Sequence, residues 1–133
     1  MDEVEIRALL AGIGISPQLH ENLRRDYEIS FRYERVDGPA AILQMLPGLL
    51  RMGICIIKER GRGVKIMCDF ARQAQEIAAA LGYNQLEVCG IAVSNAKLRR
   101  ILLRLDFQIS IEQLPQDLGN QTAEFLIQQY KVI

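Results

Sequence analysis

Residues 64–81 place Ile66, Phe70, Ala74, Ile77 and Leu81 at intervals of three and four, and Gly82 follows as a C-terminal stop. This amphipathic stretch lies between two short apolar runs. One is Gly53-Ile54-Cys55-Ile56-Ile57-Lys58, rich in β-branched residues, and the other spans residues 86–93. Runs of that kind, bounded by turn residues, suit strands covered on both faces. A strand, a helix with one apolar stripe and a second strand can bury their surfaces together only in a layered α/β arrangement, with the two strands as central neighbours.

The rest of the chain extends this pattern. Residues 27–36 alternate apolar with polar, as a half-buried strand does, and so do residues 107–111. Ser94-Asn95 offers an N-cap for a helix over residues 96–105, whose stripe is Leu98, Ile101, Leu102 and Leu105. Residues 40–52 carry apolar side chains at helical spacing but include Pro47-Gly48, which predicts a helix ending or kinking near Leu46. Short helices are expected over residues 4–10, 17–25 and 121–130, with a loop at 115–120. The expected architecture is one α/β domain over residues 1–133, a mixed sheet flanked by helices, with Ile56, Phe70, Ile77, Val88, Leu98 and Leu102 in its core.

With 133 residues, half of them apolar, the chain can build such a core without a metal or disulfide. Uncharged stretches such as residues 40–50 fall far short of the roughly 20 residues that a membrane-spanning helix needs. The opening Met1-Asp2-Glu3-Val4-Glu5 is acidic where a secretory signal is basic and then apolar, so a cytoplasmic location is expected. Cys55, Cys68 and Cys89 form no CxxC, sit among apolar neighbours and read as reduced thiols in or near the core. The single histidine, His20, has no metal-ligand spacing to any of them, and no metal site is expected.

Zero net charge conceals an uneven distribution. Residues 1–37 hold five basic and eight acidic side chains, whereas residues 51–104 hold ten basic and four acidic. The middle of the chain therefore suits an anionic ligand. Lys97, Arg100 and Arg104 share one face of their helix, but only 6% of residues are aromatic and none is interleaved with these charges, which argues against nucleic acid.

The segment Arg60-Gly61-Arg62-Gly63-Val64-Lys65 joins the first buried strand to the longest helix. Glycine permits a tight turn, the first-turn N–H groups point outward and the helix dipole favours an anion, so a phosphate has a place here. The loop lacks the Gly-Lys-Ser/Thr ending of a nucleoside-triphosphate loop and the third glycine of a dinucleotide fingerprint. A tight, solvated, arginine-rich turn has the same composition.

Together with Leu81-Gly82-Tyr83, Leu86-Glu87-Val88, Ala92-Val93-Ser94-Asn95 and Leu105-Asp106-Phe107, this loop resembles the GNAT superfamily of acyl-CoA-dependent N-acetyltransferases. The pieces stand in family order across residues 53–111. The resemblance implies a GNAT-like fold that binds acetyl-CoA and transfers its acetyl group to an amine on a small molecule or protein. It implies that Arg60, Gly61, Arg62, Gly63, Val64 and Lys65 hold the coenzyme A pyrophosphate. Residues 53–58 would pair with the pantetheine arm, and Asn95 would lie near the cofactor's far end.

Departures from the family pattern are specific. Lys65 replaces a small residue, Leu102 replaces the tyrosine that protonates the leaving thiolate, and Asp106 replaces a glycine and so requires a left-handed backbone. For the proton transfers, Glu87 is the candidate base and Cys89 or Tyr83 the candidate acid. The missing tyrosine and the short first fifty residues also fit a second expectation, a GNAT-like interaction or regulatory module without catalysis.

Overall fold

The computed structural model describes residues 2–19, 29–35, 40–55, 63–113 and 121–132. Among them run α1 (Glu3–Gly12), β1 (Gln18–Leu19), β2 (Ile29–Tyr33), β3 (Ala41–Leu46), β4 (Leu49–Cys55), α2 (Gly63–Ala80), β5 (Gln85–Ile91), α3 (Ala96–Arg104), β6 (Gln108–Gln113) and β7 (Thr122–Lys131). The strands form one sheet in the order β1-β2-β3-β4-β5-β7-β6. Only the β4–β5 pair is parallel among the described strands, and α2 bridges it. The expected neighbouring central strands and the mixed α/β sheet are both present.

Successive strand residues point to opposite faces, and the two faces here differ. One carries Phe31, Leu43, Met52, Val88 and Leu126, which pack in one cluster with Ile6 and Leu10 of α1, Ile66, Phe70 and Ile77 of α2, and Leu98 and Leu102 of α3. The other carries a smaller cluster of Ile42, Cys89, Ile91 and Phe125, to which no described helix contributes. The described helices therefore line one face of the sheet. Of the expected core, Phe70, Ile77, Val88, Leu98 and Leu102 are buried, and Ile56 lies outside the described residues.

The helix ends follow local rules. Asp2 caps α1 by accepting from the Glu5 N–H at 2.8 Å. Gly82 closes α2 at φ +80°, where the Tyr83 N–H reaches the Ala78 carbonyl at 2.9 Å. At the end of α3, Asp106 takes φ +67°, the left-handed conformation that its place in the sequence required, and the Phe107 N–H closes on the Leu102 carbonyl.

Three expected helices are corrected. Residues 40–52 are the β3–β4 hairpin: Leu46 pairs with Leu49, and Pro47-Gly48 forms the turn with Gly48 at φ +72°, as a type II turn requires. Side chains on both faces of these strands are buried, so the apolar run has no polar alternation and imitates a helix. Residues 122–131 are β7, inserted between β5 and β6 and hydrogen-bonded on both sides, an arrangement set by partners distant in sequence. Gln18–Leu19 is a strand rather than the start of a helix, and the remainder of that expected helix lies outside the described residues, as does the 115–120 loop. The two buried strands are also placed slightly differently, β4 starting at Leu49 and β5 ending at Ile91.

Candidate functional site

Because β4 and β5 are parallel, their carboxyl ends leave the sheet at the same end, the position at which α/β sheets hold ligands. α2 and α3 start there. Gly63, Val64, Asn95, Lys97, Leu98 and Ile101 line a cavity of about 200 Å³ between the two helix N-termini. The structure thus brings together three of the residues singled out in the sequence, Gly63, Val64 and Asn95. Arg60, Gly61 and Arg62 lie outside the described residues.

Gly63 has a packing reason of its own. A Cβ there would stand 2.5 Å from Leu98 Cδ2, so a side chain at this position requires Leu98 to move or the start of α2 to stand further from α3. Asn95 caps α3, its side-chain oxygen accepting from the N–H groups of Lys97 and Leu98 at 3.0 and 3.1 Å. Lys65 is exposed and pairs with Asp69 at 3.8 Å along α2, so it adds positive charge beside the cavity without lining it. Just before Asn95, Ala92 takes φ +50°, a left-handed conformation rare for alanine, while its N–H donates to the Glu124 carbonyl at 2.8 Å.

Gly53 and Ile54 have strand neighbours on both sides, Ile42 and Ala41 of β3 and Cys89 and Gly90 of β5. A strand has two edges, so these residues have none left for a pantetheine arm, which corrects that part of the expectation. Residues 56–58 lie outside the described residues.

On the face to which no described helix contributes, Glu87 meets Arg51 and Glu112 in a buried ionic network. Arg51 Nε donates to Glu87 at 2.9 Å and an Arg51 terminal nitrogen donates to Glu112 at 2.6 Å. The Gln129 carboxamide donates to the other Glu87 oxygen at 3.2 Å, and the Ser110 hydroxyl donates to Glu112 at 3.0 Å. The three charged side chains are 10–11% exposed. Low exposure makes each charge expensive to leave without its partners, and β4, β5 and β6 each supply one member. Glu87 also borders a cleft of about 460 Å³ lined by Asp106, Gln108, Ser110, Ile127, Gln128 and Gln129.

Sequence reasoning singled out Glu87 and missed Arg51, Glu112, Ser110 and Gln129. One signal was present: Arg51 stands inside the apolar run Leu49-Leu50-Arg51-Met52, and a charge there demands a partner. Nothing local says which.

Cys89 is fully buried, and burial pushes its thiol well above the ordinary range, which opposes proton exchange with a ligand. Tyr83 is half-buried against the main core. Leu102 is 2% exposed and packs in that core. Cys68, expected in or near the core, is exposed. No group of three or more His, Cys, Asp or Glu side chains among the described residues could hold a metal ion, and no described helix is long and apolar enough to cross a membrane.

No protein-family model matches the chain, and no curated protein matches it in sequence. Among solved structures, it is similar to a Bacillus subtilis acetyltransferase in complex with CoA, at 12% identity and a TM-score of 0.37, over 90% of this chain and 99% of that one.

Proposed function

We propose that this chain is an acyl-CoA-binding protein of the GNAT-like acetyltransferase type, with the pyrophosphate of its cofactor at the start of α2. One observation carries the reading. The segments that resemble the family's motifs after β4 and after β5 meet around one cavity, at the carboxyl end of the parallel pair. First-turn N–H groups of α2, which have no acceptor within the helix, suit phosphate oxygens there. The cavity of about 200 Å³ would receive that part of the cofactor, and the rest would extend along the protein surface.

When bound, acetyl-CoA supplies an activated thioester. The chain's part is to hold it, to accept a proton from the acceptor amine and to see a proton delivered to the departing sulfur. Glu87 is the proposed base, reached by the acceptor through the 460 Å³ cleft. Arg51 and Gln129 fix its carboxylate. Leu102 carries no proton to give, so water serves as the acid and the reaction is slow.

The same observations favour a second reading, a binding module without catalysis, because Glu87 is already engaged by Arg51 and Leu102 is part of the core. Calorimetric titration with acetyl-CoA tests the shared element, and binding weakened by Lys65→Ala is expected. Absence of heat and of a thermal shift at millimolar ligand overturns the cofactor site. If binding occurs, coenzyme A release over a panel of amines, lost in Glu87→Gln, supports the enzyme, and binding with no release for any amine supports the module.

A further inference from the structure

We infer that β6 is the interface of a symmetric dimer, in which a second copy of this chain adds its own β6 antiparallel to the first and continues the sheet. Natural sheets protect their edges, because a row of unpaired backbone groups templates another strand. The opposite edge here is protected: β1 is two residues long and follows Pro17. β6 is not. It is six residues long and has no outer neighbour among the described strands. It contains neither proline nor lysine, and its register with β7 is unbroken from Gln108 opposite Ile127 to Gln113 opposite Thr122, so no bulge twists it away. Its one charge, Glu112, is turned inward to Arg51.

Side-chain exposure points the same way. Ile109 and Ile111, on the helix-bearing side of β6, are 47% and 65% exposed, and Leu105 at the end of α3 is 50% exposed. Two isoleucines on an edge strand are the reverse of a protective device, and they are apolar surface that a second copy can bury.

The sequence Gln108-Ile109-Ser110-Ile111-Glu112 is suited to pairing with itself. A twofold axis through Ser110 sets Ile109 opposite the partner's Ile111, and the reverse, so four isoleucines meet on one face. On the other face Gln108 stands opposite the partner's Glu112, a carboxamide donor beside a carboxylate, with no like charges opposed. Shifting the axis to Ile111 leaves Ile109 opposite Gln113 and only one isoleucine pair. An axis through a residue gives a closed antiparallel ladder whichever alternate backbone groups point outward, and the same patch serves both copies, as twofold symmetry requires. Gln108 and Ser110 also line the cleft beside Glu87, so the partner's β6 would complete the wall of that cleft.

Sedimentation velocity on the full chain, over a concentration range extending above ~100 μM, tests this. The expected result is a species of twice the monomer mass. Ile111→Lys should be monomeric at the same concentrations, with an unchanged circular dichroism spectrum, since this exposed side chain is not part of the core. Ser110→Cys, made together with Cys68→Ser, should cross-link under mild oxidation, because residues opposed across such an axis lie within disulfide range. A wild-type chain that stays monomeric throughout overturns the proposal. So does a dimer that survives Ile111→Lys and gives no cross-link through residue 110.

Discussion

Arg51 and Glu87 stand directly opposite each other in the parallel β4–β5 register, with Nε and Oε2 2.9 Å apart and both side chains nearly buried. Arg51 also reaches Glu112 on the far edge strand, so one guanidinium ties β4 to β5 and β6 on the face that no described helix contributes to. Its planar fork of donors is what allows two carboxylates to be held at once.

Removing that guanidinium leaves two carboxylates in a buried site. Arg51→Met should therefore lower stability by ~3–5 kcal/mol, read from urea denaturation. Arg51→Lys should recover little of this, since an ammonium group offers no fork. A loss under ~1 kcal/mol for Arg51→Met would mean that water already solvates the two carboxylates.

Gly63 is expected to matter for stability before any ligand is considered. A methyl group at 2.5 Å from Leu98 Cδ2 must displace that side chain or part the two helices, so Gly63→Ala should cost ~1–3 kcal/mol in the ligand-free chain. In Leu98→Ala the obstacle is gone, and adding Gly63→Ala should cost much less. A double-mutant cycle measures this coupling. Additive losses would return the glycine to a purely ligand-related or local backbone role.

Alkaline pH should unfold the protein earlier than ordinary thiols and phenols would. Burial pushes both the Cys89 thiol and the Tyr33 phenol above their usual values. An acid whose folded pKa is raised contributes stability fully below its unfolded value and loses it above. Stability should therefore decline from about pH 8.5 for Cys89, with Tyr33 adding above about pH 10, at about 1.4 kcal/mol per pH unit for each group. Cys89→Ala should flatten the first part of the decline in thermal melts across this range.

The pair between Arg99 and Glu124 ties α3 to β7 through two hydrogen bonds of 2.7 and 3.0 Å. The Arg99 guanidinium holds the Glu124 carboxyl below its usual range. A depressed carboxylate contributes stability above its unfolded pKa, about 4.3, and loses it as pH falls through the folded value. Since both side chains are about a third exposed, solvent screens the pair, and its contribution should be small and should shrink in high salt. Glu124→Gln melts compared with wild type at pH 7 and at pH 3 measure it: the gap should be smaller at the lower pH.

What local chemistry controls could be read from the sequence. The stripe of α2, its stop at Gly82, the Asn95 cap and the turn at Asp106 depend on residues within a few positions of one another, and the structure has all four. Residues 40–52 and 121–130 depart from their local pattern for the opposite reason. A strand buried on both faces loses its alternation, and β7 owes its extended form to hydrogen bonds with β5 and β6.

The same division runs through the candidate sites. Gly63, Val64 and Asn95 were legible because each marks the start of a helix, and only the parallel pairing of β4 with β5 decided that they share a cavity. Glu87 was legible as a carboxylate on a central strand. That Arg51 and Glu112 would close upon it was decided by sheet order, because a charge buried on one strand is neutralised by whichever neighbours the fold supplies, and the sequence separations of 36 and 61 residues from Arg51 carry no trace of that choice.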